Sequence, residues 1–371
     1  MDVAELTREL VSIPSHTDET AAGEFIESWL RRETDARVRR DEVGNVIARR
    51  GAEGASATNA ANESLALVGH HDVVEPAPSQ VDADGEYVVE RRDGRLYGRG
   101  TADMKGAVAA AMLAFRDAAV GADDAAGELV FASFVGEEVG GVGARHAIEQ
   151  GFAPDYAVVG EGSTGYSSSG VTDVAVAHKG RRGSTITARG TAAHASEVGV
   201  GENAIYRAAD AVDLVRTLEA PAVDVAGETL AGSLVVTEIE GGTAMNVIPE
   251  RCEVTVDERT VPGERADLER VADLEGVEWT VDQDLPPMRC GDERFATAVL
   301  EAADGTQSGS PELVTKPHAT DAGWLSDAGT ECVIYGPSEP GEAHTETESV
   351  SLEVLERCYE TYRRTAENWP R

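Results

Sequence analysis

Leu96-Tyr97-Gly98-Arg99-Gly100-Thr101-Ala102-Asp103-Met104-Lys105-Gly106, followed at once by the apolar run Ala107 to Phe115, is the stretch on which the fold turns. Its three glycines permit tight or left-handed backbone and close approach of neighbouring elements. The alanine-rich run behind Gly106 has high helix propensity. Asp103 therefore stands in a loop that feeds a helix, where a carboxylate serves either as a helix cap or as a ligand. Its company favours the ligand: His70-His71-Asp72 upstream, Glu137-Glu138 and Glu161 downstream, and His344 near the end. With these donors Asp103 reads as the bridge between two metal ions.

Moving outward, Leu65-Ala66-Leu67-Val68 is a short continuous apolar run, the pattern of a strand buried on both faces. It delivers Gly69-His70-His71-Asp72 at its carboxyl end, where open α/β sheets bind ligands. In His70-x-Asp72 alternate side chains share a face, so Asp72 can orient a metal-bound His70. Leu129 to Val135 and Tyr156 to Val159 repeat the design, ending at Gly136-Glu137-Glu138 and Gly160-Glu161. Helix signals at 106–119 and 143–150 lie between them, the alternation of a sheet covered by helices. After a buried strand two adjacent glutamates diverge, so one can bind metal while the other faces the water to be activated. His71 and His146 are weaker candidates.

Val3, Leu6 and Leu10, then Phe25, Ile26, Trp29 and Leu30, keep helical spacing for packing. Glu42 to Arg49 has a strand-like Val43/Val46-Ile47 core, and 51–64 reads as a polar surface loop. After Gly162 the texture changes: Val174 to Gly180, Thr185 to Ala188, Leu234 to Val236 and Arg251 to Asp257 alternate like half-exposed strands. Ile205, Ala208, Ala209, Val212 and Val215 keep helical period between them. This pattern predicts an inserted α+β domain over 180–285, with 1–179 and 286–371 forming the other domain. Val333 to Tyr335 is a returning strand, and Leu352 to Tyr362 a closing amphipathic helix.

The 371 residues carry 68 acidic and 32 basic side chains, a net charge of −36, and only Lys105, Lys179 and Lys316 are lysines. Such a surface repels nucleic acid and anionic lipid. The charge profile resembles proteins of salt-accumulating halophiles, in which high salt screens self-repulsion. With no long apolar stretch and no basic-then-apolar start, a cytoplasmic protein without membrane contact is expected. Cys252, Cys290, Cys332 and Cys358 form no CxxC pair and are expected to be reduced and structural.

The motifs Gly69 to Val74, Gly98 to Gly106, Gly136-Glu137-Glu138, Gly160-Glu161 and Ala343-His344-Thr345-Glu346-Thr347-Glu348, in this order and spacing, are similar to those of the M20 metallohydrolases. That group includes acetylornithine deacetylase, succinyl-diaminopimelate desuccinylase and carboxypeptidase G2. The resemblance implies a zinc-exopeptidase-like α/β catalytic domain, with a mostly parallel sheet between helices and an inserted lid or dimerisation domain. It implies two zinc ions, or cobalt or manganese, bridged by Asp103 and a water or hydroxide. His70, Asp103 and Glu161 would hold one ion, and Asp103, Glu138 and His344 the other. Glu137 matches the general base and Asp72 the partner of His70. A cis peptide after the bridging aspartate, here Asp103-Met104, is also common in the group.

In the inserted domain, Gly190 to Ser196 resembles the segment whose histidine, here His194, reaches the partner subunit's active site and polarises the scissile carbonyl. Gly241 to Pro249 and Asp257-Glu258-Arg259 resemble segments that contribute Asn246 and Arg259 to recognition of a substrate carboxylate, for which a guanidinium fork is suited. A homodimer through the inserted domain follows by the same resemblance. The implied substrate is a small N-acylated amino acid such as N-acetylornithine or N-succinyl-diaminopimelate. A dipeptidase or carboxypeptidase acting on short peptides is the alternative, and release of lysine or ornithine from a carrier protein a third. Glu75 replaces the usual proline after Asp-Val-Val, and His318 to Gly323 only loosely resembles the desuccinylase loop. A non-catalytic metal-binding scaffold would have lost the base or a ligand, and none is missing.

Overall fold

The computed structural model describes residues 1–51, 63–119 and 127–369, so most of the expected polar loop at 51–64 lies outside the described residues. Two compact units are present. The first comprises Met1–Ala177, Arg289–Lys316 and Thr320–Arg371, and the second His178–Met288 with Pro317–Ala319.

The first unit is built on a mixed sheet. Its strands are β1 (Arg37–Arg40), β2 (Val46–Arg50), β3 (Ser64–His70), β6 (Glu128–Phe134), β7 (Tyr156–Val159), β8 (Val174–His178), β17 (Met288–Arg289), β18 (Leu313–Lys316) and β19 (Glu331–Ile334). A second, three-stranded sheet joins β4 (Glu90–Arg92), β5 (Arg95–Tyr97) and β20 (Ser349–Ser351). The large sheet runs β1-β2-β6-β3-β7-β19-β8-β17, with β18 also on β8. β3 is parallel to β6 and β7, and β19 is parallel to β7. Parallel pairing brings the carboxyl ends of β3, β6 and β7, and so the residues that follow them, to one edge. These strands are buried on both faces, as continuous apolar runs require.

Helices α1 (Val3–Val11), α2 (Thr20–Glu33), α3 (Lys105–Asp117), α4 (Val142–Glu149), α6 (Glu293–Asp304), α7 (Asp321–Asp327) and α8 (Leu352–Asn368) belong to this unit. α1 starts with a capping box in which Asp2 and Glu5 satisfy each other's backbone N–H. α3 is buried from Lys105 to Phe115 because it lies on β3 and β6 and is itself covered by α1 and α8. Its small side chains permit that double contact. Gly69 and Gly160 let the start of α3 approach the sheet: a Cβ on Gly69 would meet Met104 Cε at 2.8 Å, and one on Gly160 would meet Ala107 Cβ at 2.9 Å. The Asp103-Met104 peptide is cis.

In the second unit, β9 (Arg181–Arg189), β13 (Ser233–Gly241), β15 (Arg251–Arg259) and β16 (Val277–Leu285) form an antiparallel sheet in the order β13-β15-β9-β16. α5 (Ala204–Val215) packs against it, and Ile186, Ala188, Ala208, Ala211, Val254 and Val256 are among its core residues. Two small pairs complete the unit: β10 (Ala193–His194) with β14 (Val247–Ile248), and β11 (Ala222–Val225) with β12 (Glu228–Ala231).

Three local expectations are corrected. β8 is wholly buried rather than half-exposed, because it pairs within the large sheet instead of forming an outer face of the inserted domain. The buried stripe of α5 is Ala204, Ala208, Ala211 and Val215, which leaves Ile205 and Ala209 exposed. The strand expected near Val43 begins at Val46 and is preceded by β1, whose arginines hid it from an apolar pattern.

Candidate metal centre and active site

Asp103 does not cap α3. Met104 occupies the cap position, and no side chain caps the helix there. The Asp103 oxygens face two imidazoles: His70 Nε2 lies 3.2 Å from Oδ1 and His344 Nε2 lies 3.0 Å from Oδ2. Glu161 Oε1 is 3.5 Å from His70 Nε2, and Glu138 Oε1 is 3.0 Å from His344 Nε2. Two groups of donors result, His70/Asp103/Glu161 and Asp103/Glu138/His344, each with its ligand atoms within 4.8 Å of one another. Asp103 belongs to both.

Asp72 organises the centre from behind. It is 4% exposed; its Oδ1 accepts from the backbone N–H of Glu137 at 3.1 Å and its Oδ2 from that of Glu138 at 3.0 Å. His70 Nδ1 lies 3.1 Å from the Asp72 carbonyl and 3.3 Å from its Oδ1. An Nδ1–H directed at these acceptors leaves the Nε2 lone pair for a metal. The same carboxylate therefore aims the histidine of one group and fixes the turn that carries the other group's glutamate and Glu137.

Two further supports were not assigned roles in the sequence reading. Glu348 Oε1 accepts from the backbone N–H of Ala102 at 3.0 Å and of Asp103 at 3.2 Å, while its Oε2 pairs with the buried Arg99 guanidinium. Pairing of β20 with β5 sets Glu348 beside Gly98, whose N–H donates to the Glu348 carbonyl at 3.1 Å. Both residues lie inside recognisable motifs, but only this register explains them. Lys316 ends β18 with its Nζ 3.3 Å from Glu161 Oε2. Asp321, at the start of α7, is buried, and neither carboxyl oxygen has a hydrogen-bond partner among the described residues.

The electrostatics follow from this crowding. Burial would raise the Asp103 carboxyl, but the hydrogen bonds from His344 and His70 hold it well below the usual carboxylate range. Its own bonds with Asp103 and Glu138 push His344 up to about 10. Burial opposes protonation of His70, yet Asp103, Asp72 and Glu161 drive its value well above that of a free imidazole. For Glu161 the burial penalty is overcome by the Lys316 ammonium, and its value is lowered. For Glu137 burial outweighs the opposing charge of His70 and, together with Asp321, Glu161 and Asp103, pushes its carboxyl well above the ordinary value. Burial likewise pushes Asp321 up to about 7.

The donor set fits two divalent ions. Three carboxylates and two imidazoles converge, and a cation in each group would relieve their mutual repulsion. Mixed nitrogen and oxygen donors suit zinc, cobalt or manganese. His344 has a left-handed backbone, φ 62°, uncommon for a non-glycine residue and typical of functional positions. His71, a weaker candidate, points away to Ser133 Oγ at 2.8 Å. His146 lies 3.8 Å from Glu42 in α4.

The remaining candidates belong to the second unit. His194 is exposed on β10, opposite Val247 of β14, with Nδ1 2.7 Å from Ser196 Oγ. The Asn246 carbonyl accepts from Ala195 N–H at 2.9 Å, so His194 and Asn246 are neighbours. Arg259 closes β15 and is paired with Asp257 at 2.7 Å.

A mixed, mainly parallel sheet with two carboxylate-linked donor groups at its carboxyl edge defines a metal-dependent hydrolase of the exopeptidase type. Residues 66–368 match peptidase family M20/M25/M40, and the chain belongs to that family. It is 30% identical to the succinyl-diaminopimelate desuccinylase of Stenotrophomonas maltophilia, over 98% of each chain. It is 31% identical to the acetylornithine deacetylase of Myxococcus xanthus, over 85% of this chain and 82% of the other. Among solved structures, the aminopeptidase PepT of Bacillus cereus superposes with a TM-score of 0.76 at 20% identity, covering 98% of this chain and 97% of its own.

Proposed function

We propose that this hydrolase is a di-metal deacylase that removes an acetyl or succinyl group from an N-acylated amino acid such as N-acetylornithine or N-succinyl-diaminopimelate. The observation that carries the reading is the pair of donor groups sharing Asp103, with Glu137 held beside them by Asp72. His70, Asp103 and Glu161 would hold one ion, and Asp103, Glu138 and His344 the other. Bound there, the ions lower the pKa of a water and polarise the amide carbonyl. Glu137 takes the proton from that water and returns it to the leaving amine. Asp72 keeps the base and the His70 imidazole in register while this happens.

The second unit acts in this reading as lid and dimerisation domain. His194 polarises the scissile carbonyl from the partner subunit, and Asn246 and Arg259 receive the substrate carboxylate. A homodimer is supported by the exposure of Val198, Val200, Tyr206 and Met245, apolar side chains at 70% or more on one unit. A cytoplasmic, salt-adapted enzyme is in keeping with the charge of −36, and no helix of the described residues is long and apolar enough to cross a membrane.

Initial rates at high potassium chloride with added zinc or cobalt, on both acylated diamino acids and a panel of dipeptides, test this. A preference for one acylated amino acid is expected, with Glu137→Ala reducing turnover at least 10²-fold while retaining both metals. Preference for dipeptides would move the enzyme to the peptidase branch of the family. Loss of metal in Glu137→Ala would make Glu137 a ligand.

A further inference from the structure

Lysine is almost absent from this chain: of 32 basic residues only Lys105, Lys179 and Lys316 are lysines. Lys316 is 6% exposed and stands at the end of β18. Burying an ammonium is costly unless it is paired, and here its partner is a carboxylate of the candidate metal centre. The two oxygens of Glu161 face opposite tasks. Oε1 points to the His70 side, 3.5 Å from Nε2, whereas Oε2 is 3.3 Å from Lys316 Nζ. The other donor group has no counterpart: among the described residues the ion-pair partner of Glu138 is His344, itself a donor of that group. The two groups are alike in having two carboxylates and one imidazole, but in the His70 group the imidazole faces the Asp72 carboxylate and a carboxylate faces a buried ammonium.

We propose that Lys316 is a positioning residue that restricts Glu161 to a single-oxygen ligand and offsets the negative charge that Asp72 adds on the His70 side of the centre. The proposal rests on the two-metal reading of the site. Two consequences follow. With Oε2 engaged, Glu161 cannot close on the ion with both oxygens, and one coordination position stays available to water or to the substrate carbonyl. With a positive charge beside a ligand, less negative charge is donated to the ion, which keeps it a stronger Lewis acid. A compact ammonium on a thin stem can do this from the buried last residue of β18, whereas a guanidinium would demand several acceptors in one plane. That requirement explains why a chain that uses arginine nearly everywhere keeps a lysine here.

The test uses the cobalt-loaded full-length protein, read by metal affinity against a chelator of known strength and by visible absorption. Lys316→Met is expected to bind the His70-side cobalt at least tenfold more tightly. Its visible absorption should weaken as Glu161 adds a second oxygen, and kcat should fall at least tenfold with a smaller change in KM. Lys316→Gln, which keeps a hydrogen-bond donor but not the charge, should tighten binding while leaving the absorption band near that of the wild type. Unchanged affinity in either variant, or an unchanged spectrum in Lys316→Met, overturns the proposal. If Lys316→Met does not fold, the affinity of Lys316→Gln decides. A wild type that binds no cobalt overturns instead the two-metal reading.

Discussion

Replacing Asp72 by asparagine tests the organisation of the centre most directly, because one carboxylate serves three contacts. Its Oδ1 accepts from Glu137 N–H and faces His70 Nδ1 at 3.3 Å, and its Oδ2 accepts from Glu138 N–H at 3.0 Å. Asparagine keeps the shape but turns one oxygen into a donor. If the remaining oxygen stays with Glu137 and His70, the new NH2 confronts the Glu138 N–H. If the amide flips, it confronts both of the others. Either way at least one charge-assisted hydrogen bond is lost, worth ~1.5–3 kcal/mol. Independently, removing the group that orients a metal-binding histidine costs about 10–100-fold in metal affinity or activity, which is ~1.4–2.8 kcal/mol at 1.4 kcal/mol per decade. The two routes agree. Zinc affinity measured against a chelator, kcat/KM on the best acylated substrate, and thermal melting of the metal-free protein should therefore all decline together. An Asp72→Asn protein with wild-type zinc affinity, rate and melting midpoint would refute the idea that Asp72 joins the histidine to the glutamate turn.

The Arg99–Glu348 pair beneath Asp103 should behave as a unit. Glu348→Ala leaves the 3%-exposed Arg99 without its partner and is expected to cost about 3–5 kcal/mol with reduced metal content, whereas Arg99→Met combined with Glu348→Leu should lose less than the sum of the single changes in urea unfolding. His71 supplies a pH dependence of stability. Burial lowers its value in the folded chain to about 3 from 6.5, so between these pH values the unfolded chain binds more protons, and stability is lost as pH falls from 6.5 toward 3. In metal-free protein this one residue accounts for on the order of 5 kcal/mol, and His71→Gln should flatten the profile; parallel wild-type and variant profiles would contradict it. Finally, with a net charge of −36, lowering potassium chloride from about 1 M to about 0.01 M lengthens the Debye length from ~3 to ~30 Å and should reduce the melting midpoint. A midpoint independent of salt would end the halophilic reading.

Much of the molecule is legible in the primary structure because buried parallel strands write themselves as unbroken apolar runs. Leu65 to Val68 and Tyr156 to Val159 each stop two residues before a donor, His70 and Glu161, so a strand and its cargo are read together. Where this signal is weak, the reading falters. β1 is Arg-Val-Arg-Arg, an edge strand whose side chains carry no alternation of polarity. α5 shows two overlapping helical stripes, Ile205-Ala209-Val212 and Ala204-Ala208-Ala211-Val215, and only packing on the β9–β15 face selects the second.

By itself the sequence determines the identity and order of the donors, since His70, Asp103, Glu138, Glu161 and His344 stand in motifs whose spacing is local and whose residue types suit divalent ions. Tertiary structure decides everything that depends on distant segments meeting. The β20–β5 pairing sets Glu348 under Asp103, across 245 residues of chain. Lys316 meets Glu161 across 155 residues, since β18 and β7 are strands of one large sheet. Asp72 joins the end of β3 to the turn after β6 because those strands are parallel neighbours in register, His70 opposite Phe134. Spacing along the chain records which atoms are available; pairing of the strands determines which of them meet.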